Sequence, residues 1–277
     1  MNSITPDLNL MIKACEKASK TLIRDFGEIE KLQVSVKGPS NFVSNADTKA
    51  EKIIIEELMK AKKNYSIISE EYGSKINSDS ENVWIIDPID GTSNFLHGIP
   101  HFAISIALKS NNEIISGLIY DPIKDEMFCS EKGKGAFKSS PDGDHPISVR
   151  QLDDPKNSVV MIAISRRQSR EKVLGRMCAK RVYQTLPLGS CSLKACFIAE
   201  GKADVFMRIG VTGEWDTGAS QCIVSEAGGS IAAANFEPLT YNQRHSLENP
   251  DFVVMGDQRV PWQDVVQYND FVNPHTK

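Results

Sequence analysis

An α+β layered sandwich is the fold the sequence predicts, from three observations. Two amphipathic helical patterns lead the chain, a run of short strands follows, and helices and strands are mixed in the second half. With 277 residues and 40% hydrophobic content, the chain can bury a sizeable core, as one unit over 1–277 or as two fused halves, 1–150 and 151–277.

The first helix is expected over Leu8 to Phe26, where Leu8, Met11, Ile12, Cys15, Leu22 and Phe26 share one face. A Gly/Pro/Asn loop follows at Lys37-Gly-Pro-Ser-Asn. Ser44-Asn-Ala-Asp47 then reads as a capping box opening a second helix through Ile53, Ile54 and Leu58. Strands come next. Ser66 to Ser69 is short and apolar and ends at Glu70-Glu71. Val83 to Ile86 is continuously apolar, as expected of a strand buried on both faces, and ends at Asp87. Ser74 to Asn82, between them, is polar and reads as a surface loop. Phe102 to Lys109, Glu113 to Tyr120 and Glu126 to Ser130 alternate, which predicts a meander. In the second half, strands are expected at Ser158–Ile164, Ala203–Arg208 and Asp251–Gly256. Helices are expected at Arg170–Lys180, Ser192–Glu200 and Glu214–Ala227, and from Pro261-Trp262 onward.

Composition narrows the function classes. A net charge of −4 argues against a non-specific nucleic-acid binder, and any anionic substrate must be drawn in by local cations. The first residues lack the basic start, apolar stretch and cleavage site of a signal peptide. The longest apolar runs are about six residues, far short of the roughly twenty needed to span a membrane. None of the six cysteines forms a C-x-x-C pair, so reduced thiols in a cytoplasmic protein are expected rather than disulfides or zinc.

The sharpest local pattern is Asp87-Pro-Ile-Asp90-Gly-Thr92. A buried strand delivers one carboxylate at its end, Pro88 breaks the ladder, and Asp90 follows in the turn. Gly91 permits close backbone approach, and Thr92 or Ser93 starts the next segment. Glu70 and Glu71 end another strand, and Asp216 follows Trp215 at a helix start. These four sites, counting Glu70-Glu71 as one, call for hard oxygen-loving cations such as Mg²⁺ if they converge. Two ions about 4 Å apart form a clamp for phosphoryl chemistry. Taken singly, each acid also reads as a turn residue, a helix cap or a solvated strand end, and spacing alone does not bring them together.

Together these residues resemble the inositol monophosphatase superfamily of metal-dependent, lithium-sensitive phosphatases. The resemblance rests on Trp84-Ile-Ile-Asp-Pro-Ile-Asp-Gly-Thr-Ser-Asn-Phe95 and on Glu214-Trp-Asp-Thr-Gly-Ala-Ser-Gln-Cys-Ile-Val-Ser-Glu-Ala-Gly-Gly229, with Ser69-Glu-Glu71 and the Lys37 loop in matching order. It covers about residues 8 to 257. It implies a layered αβαβα sandwich, a homodimer, and two or three Mg²⁺ per site. Glu70, Asp87 and the Ile89 carbonyl would hold a first ion, and Asp87, Asp90 and Asp216 a second. Glu70 would share a third through water. Thr92 and Asp47 would orient and deprotonate the attacking water, and the Gly91 and Thr92 amides would cradle the phosphate. Most ligands thus fall in 1–150, while Asp216 and the specificity residues fall in 151–277. One departure is Gly218, where the family usually carries Ala.

The substrate signals diverge. Phe95-Leu-His-Gly-Ile-Pro-His-Phe102 resembles bacterial inositol monophosphatases. Gly189-Ser-Cys-Ser-Leu-Lys194, Met207-Arg208 and Gly213-Glu-Trp-Asp resemble 3'(2'),5'-bisphosphate nucleotidases. An arginine at 208 has donors only. It cannot accept inositol hydroxyls but can, with Lys194 and the Gly189-Ser190 turn, bind a second phosphate. Adenosine 3',5'-bisphosphate is therefore the first expectation, inositol 1-phosphate the second, and fructose 1,6-bisphosphate a distant third. A non-catalytic role through an RNA or protein partner is the contrasting class, and no metal ligand is missing to favour it. His97 and His101 lie four apart, but Gly98 and Pro100 argue against a helical zinc site. Gly133-Lys-Gly135 reads as a hairpin turn rather than a P-loop.

Overall fold

The structure is a computed structural model that describes residues 4–32, 39–166 and 168–267. Helices α1 (Pro6–Leu32) and α2 (Pro39–Ala61) open it and pack together. The α1 stripe of Leu8, Met11, Cys15, Leu22 and Phe26 is buried as its spacing requires. Helix α2 begins at Pro39, ahead of the expected Ser44 capping box. Proline suits a first helical position because its missing N–H would have no partner there. Pro39 to Asn41 thus belong to the helix rather than to a loop, while Lys37 and Gly38 lie outside the described residues. Asp47 is no cap. It lies two turns into α2, buried.

The next strands are β1 (Ser66–Ser69), β2 (Gly73–Lys75) and β3 (Asn82–Asp90), followed by the short helix α3 (Thr92–Leu96). Then come β4 (Ala103–Ser110), β5 (Glu113–Asp121), β6 (Glu126–Glu131), β7 (Ala136–Ser140) and β8 (Gly143–Ile147). They form one eight-stranded sheet in the order β2-β1-β3-β4-β5-β6-β7-β8. The meander is present and runs two strands longer than expected. The start of the expected 74–82 loop pairs with β1 as a short edge strand. Only β1 and β3 are parallel, with Ser69 opposite Ile86.

The second half contains β9 (Val160–Ser165), α4 (Arg170–Leu174), β10 (Tyr183–Leu188), α5 (Cys191–Ala199) and β11 (Val205–Arg208). After these come β12 (Thr212–Gly213), a 3₁₀ turn (Glu214–Asp216), α6 (Gly218–Glu226), β13 (Ser230–Ala233), β14 (Glu248–Asn249), β15 (Phe252–Met255) and α7 (Trp262–Val265). A five-stranded sheet runs β10-β9-β11-β15-β13. Three expectations change here. The helix begun at Arg170 stops at Leu174, with Gly175 as its cap. Tyr183–Leu188 is a strand; Pro187 is tolerated because β10 lies on the edge. The helix expected over Glu214–Ala227 is a 3₁₀ turn followed by α6.

Three apolar layers assemble these parts. α1 and α2 pack on Trp84, Ile86, Ile104 and Leu118 of the large sheet. Its opposite face, with Ile85, Ala107 and Ile119, packs on α5 and α6, which in turn meet Phe206 and Val254 of the small sheet. α4 and α7 cover the far face through Val173, Trp262 and Val265. The order is αβαβα, and β3 is buried on both faces as its unbroken apolar run requires. All six cysteines are free. Among the described residues no helix is long and apolar enough to cross a membrane.

Candidate active site

Parallel pairing of β1 and β3 builds the first half of the site. Ser69 lies opposite Ile86, so the next residues, Glu70 and Asp87, emerge side by side, and their carboxyl groups are in hydrogen-bond contact. Pro88 follows where β1 has ended, so its missing N–H costs no ladder bond on that side. Pairing with β4 is irregular between Asp87 and Asp90, and such an irregularity re-aims side chains. Asp87 Oδ1 accepts the Ile89 N–H at 3.0 Å. Gly91 turns the chain with φ 100°, and Thr92 begins α3; a side chain at Gly91 would be strained there.

Asp216 arrives from the other half of the chain. Its Oδ2 accepts the Gly213 N–H at 2.7 Å, closing the 3₁₀ turn. Ser105 on β4 holds that turn through the Trp215 carbonyl at 3.2 Å. Gly213 has no room for a Cβ, which would meet the Trp215 ring at 2.2 Å. Asp87, Asp90 and Asp216 each offer an oxygen, and these all lie within 4.8 Å of one another.

The cluster is costly as a set of bare anions. Burial, then the charges of Glu70, Asp90 and Asp216, push the Asp87 carboxyl well above its usual range. Asp216 is pushed up to about 7, chiefly by burial and then by Asp90. Glu70, although exposed towards the cleft, rises to about 7 through partial desolvation first, with Glu71, Asp90 and Glu51 adding to it and the Asp87 contact opposing it. Asp47 rises to about 8 for the same leading reason, with Glu71, Glu70 and Glu51 beside it. Its Oδ1 is buried with no hydrogen-bond partner. An all-oxygen cluster that resists ionisation is the donor set a hard divalent cation satisfies, so these residues fit Mg²⁺. Thr92 Oγ1 donates to the Ile89 carbonyl at 3.0 Å rather than to Asp47.

Glu70, Asp90 and Asp216 line a cleft of about 540 Å³ together with Arg166, Gly189, Ser190, Lys194 and Arg208. Cationic side chains thus share the cleft with the acids despite the negative net charge. Arg208 has a buried Nε without a partner, and its Nη2 reaches only the Val211 carbonyl, at 3.5 Å. Lys194 is buried, its ammonium on the Gly189 and Ser190 carbonyls and 4.7 Å from the Phe206 ring centre. Burial lowers its pKa. Gly189 is packed so closely that a Cβ would lie 2.1 Å from Asn94 Nδ2.

Sequence reasoning missed several neighbours. Arg166 at the end of β9 lines the cleft, as do Leu247 and Glu248. Glu51, one turn after Asp47, accepts from Ser69 Oγ and, at 3.0 Å, from the Glu71 N–H. The i, i+4 spacing of Asp47 and Glu51 on one helix was the available signal. Asp90 is held by Ser190, Cys191 and Ser192, a link across a hundred residues that no local pattern announces.

A layered αβαβα fold with clustered buried carboxylates and cationic side chains lining one cleft is the arrangement of a metal-ion phosphatase. The model of the inositol monophosphatase family matches residues 4–259, and the chain belongs to that family. Inositol-1-monophosphatase of Mesorhizobium japonicum is 41% identical over 229 residues, covering 81% of this chain and 84% of that protein. The 3'(2'),5'-bisphosphate nucleotidase CysQ of Haemophilus influenzae is 32% identical over 245 residues, covering 87% and 90%. The crystal structure of extragenic suppressor protein suhB from Bartonella henselae superposes with a TM-score of 0.74 at 35% identity, covering 92% of this chain and 95% of that one. The chain is accordingly a phosphoric monoester hydrolase of a family that acts on small phosphorylated substrates and is generally Mg²⁺-dependent.

Proposed function

We propose that the chain removes the 3'-phosphate of a 3',5'-bisphosphorylated nucleotide such as adenosine 3',5'-bisphosphate, releasing AMP. The observation that carries this reading is Arg208. A guanidinium with an unsatisfied buried Nε, lining the same cleft as Glu70, Asp90 and Asp216, is a ready donor to a second phosphate, and it offers no acceptor to a polyol. The likeness of this chain to CysQ of H. influenzae points the same way. Arg166 and the buried charge of Lys194 add to the potential in that cleft.

In this reading Glu70, Asp87 and the Ile89 carbonyl would hold one Mg²⁺, and Asp87, Asp90 and Asp216 would hold a second. When bound, the ions supply a nucleophilic water at neutral pH and charge for the leaving oxygen. Thr92, fixed by its bond to the Ile89 carbonyl, and Asp47, with a free buried oxygen, orient and deprotonate the attacking water. The amides of Gly91 and Thr92 receive the phosphate oxygens, since the first N–H groups of a helix have no partner within it. The rest of the catalysis is positioning and charge neutralisation.

A second reading, inositol 1-phosphate hydrolysis, is favoured by the 41% identity to the inositol-1-monophosphatase of M. japonicum. A phosphate-release panel with Mg²⁺ over adenosine 3',5'-bisphosphate, inositol 1-phosphate and fructose 1,6-bisphosphate separates the two. The bisphosphonucleotide should have the highest kcat/KM. Arg208→Glu should cut that value by about 100-fold, the loss of two charge-assisted hydrogen bonds, and should change inositol 1-phosphate less than about three-fold. Equal losses, or preference for inositol 1-phosphate in the wild type, would refute it.

A further inference from the structure

The Asp90 side chain is tied to the start of α5, a hundred residues further along the chain. Its Oδ2 accepts hydrogen bonds from Ser190 Oγ, from Ser192 Oγ and, at 2.6 Å, from the Ser192 N–H. Its Oδ1 accepts the Cys191 N–H at 3.0 Å. All four donors belong to the start of α5, at the positive end of the helix dipole. Ser190 Oγ accepts the Leu193 N–H at 3.0 Å and Asp90 takes the Cys191 and Ser192 N–H groups, so these backbone N–H bonds cap the helix and the donations from the two serine hydroxyls are additional to that role.

Ser192 stands out among these donors. Its side chain is fully buried, and its hydroxyl meets only Asp90 and, at 3.2 Å, the Ser190 hydroxyl. A carboxylate has about four lone-pair sites. Three donors converge on Oδ2, which leaves Oδ1, with one donor, as the oxygen free to ligate. The neighbours of Ser192 at Gly189, Ser190, Cys191 and Lys194 line the cleft.

We propose that Ser192 is a positioning residue: its hydroxyl fixes the Asp90 carboxylate in the orientation that ligates metal, and joins that ligand rigidly to the start of α5. The proposal rests on the reading of Asp90 as a metal ligand. Hydrogen bonds to a ligand from the surrounding shell typically govern metal affinity by about 10- to 100-fold.

The test is a calorimetric titration of the full chain with Mg²⁺ alone, for wild type, Ser192→Ala, Asp90→Asn and the double variant. Metal-free melting temperatures are measured alongside. Ser192→Ala should melt within a few degrees of wild type and bind Mg²⁺ about ten-fold more weakly. Asp90→Asn should weaken binding further, and adding Ser192→Ala to it should change nothing more. If Ser192→Ala binds within two-fold of wild type while Asp90→Asn weakens binding, the clamp is overturned and the ligand assignment survives. If Asp90→Asn also binds like wild type, the ligand assignment falls and takes the clamp with it. Should Ser192→Ala melt far below wild type, the titration moves to Ser192→Cys, which fills the site but replaces the hydroxyl with a weak donor. Ten-fold weaker binding there supports the clamp, and unchanged binding overturns it.

Discussion

Asp47, Glu70 and Asp216 carry the account at the scale of single residues, because burial raises their pKa values to about 8, 7 and 7. In the unfolded chain these carboxyls ionise near pH 4. Between about pH 4 and 8 the folded, metal-free chain therefore binds more protons than the unfolded one, and its stability falls as pH rises. His101 works in the opposite direction. Burial depresses its pKa to about 4, so its stabilising effect is lost as pH falls below about 6.5. The clean window is thus above pH 6.5. In EDTA the melting temperature should drop from pH 6.5 to 8.5, and added Mg²⁺ should raise it more at pH 8.5. A flat EDTA profile across that window would contradict the reading of these acids as a strained anionic cluster. The acids themselves were legible in the sequence, because they follow apolar strands or sit in a Pro- and Gly-bounded turn. Their partners were not. Ser192 reads locally as an ordinary residue in a helix start, and Lys194 as a free cation, until the fold buries both.

At the scale of elements, strands and helices with strong periodicity were legible, and short ones were not. β3 announced itself by its apolar run, and α1 by its stripe. β10 hid behind Pro187 and an exposed edge, and α4 is too short for periodicity to mark its end. The 3₁₀ turn carrying Asp216 was read as a helix because Glu214 to Ala227 is helix-like in pattern; the break falls at Thr217, whose φ of −120° leaves helical geometry. Two glycines show how elements are placed. A Cβ on Gly117 in β5 would lie 2.4 Å from the Ala219 carbonyl in α6, so this glycine lets the helix that follows Asp216 rest on the large sheet. At Gly218 the nearest atom to an added Cβ is Ala107 Cβ at 3.2 Å, so a side chain there would need its neighbour to give by a few tenths of an ångström. Gly27 in α1 has open space around it. Gly117→Ala should therefore destabilise by about 1–3 kcal/mol through overpacking, while Gly27→Ala should stabilise by about 0.5–1 kcal/mol through helix propensity. Urea midpoints of the two variants check the pair, and a neutral Gly117→Ala would contradict the packing described.

For the whole molecule, the layered fold explains why acids from residues 70 to 216 meet. Parallel β1 and β3 deliver Glu70 and Asp87 together, the irregular end of β3 turns Asp90 towards α5, and the turn before α6 sets Asp216 against the large sheet. The class of fold was legible because each layer has its own hydrophobic pattern. The convergence was not, since it depends on how α5 and α6 lie between two sheets. The family membership agrees with the geometry, and the proposed substrate preference rests on Arg208. The most direct measurement is phosphate release from adenosine 3',5'-bisphosphate and inositol 1-phosphate as a function of Mg²⁺, for wild type and Asp216→Asn. Release should require Mg²⁺ and fall by orders of magnitude in Asp216→Asn while the circular-dichroism spectrum is unchanged. Release that persists in EDTA, or survives Asp216→Asn, would contradict a site in which these distant carboxylates share divalent ions.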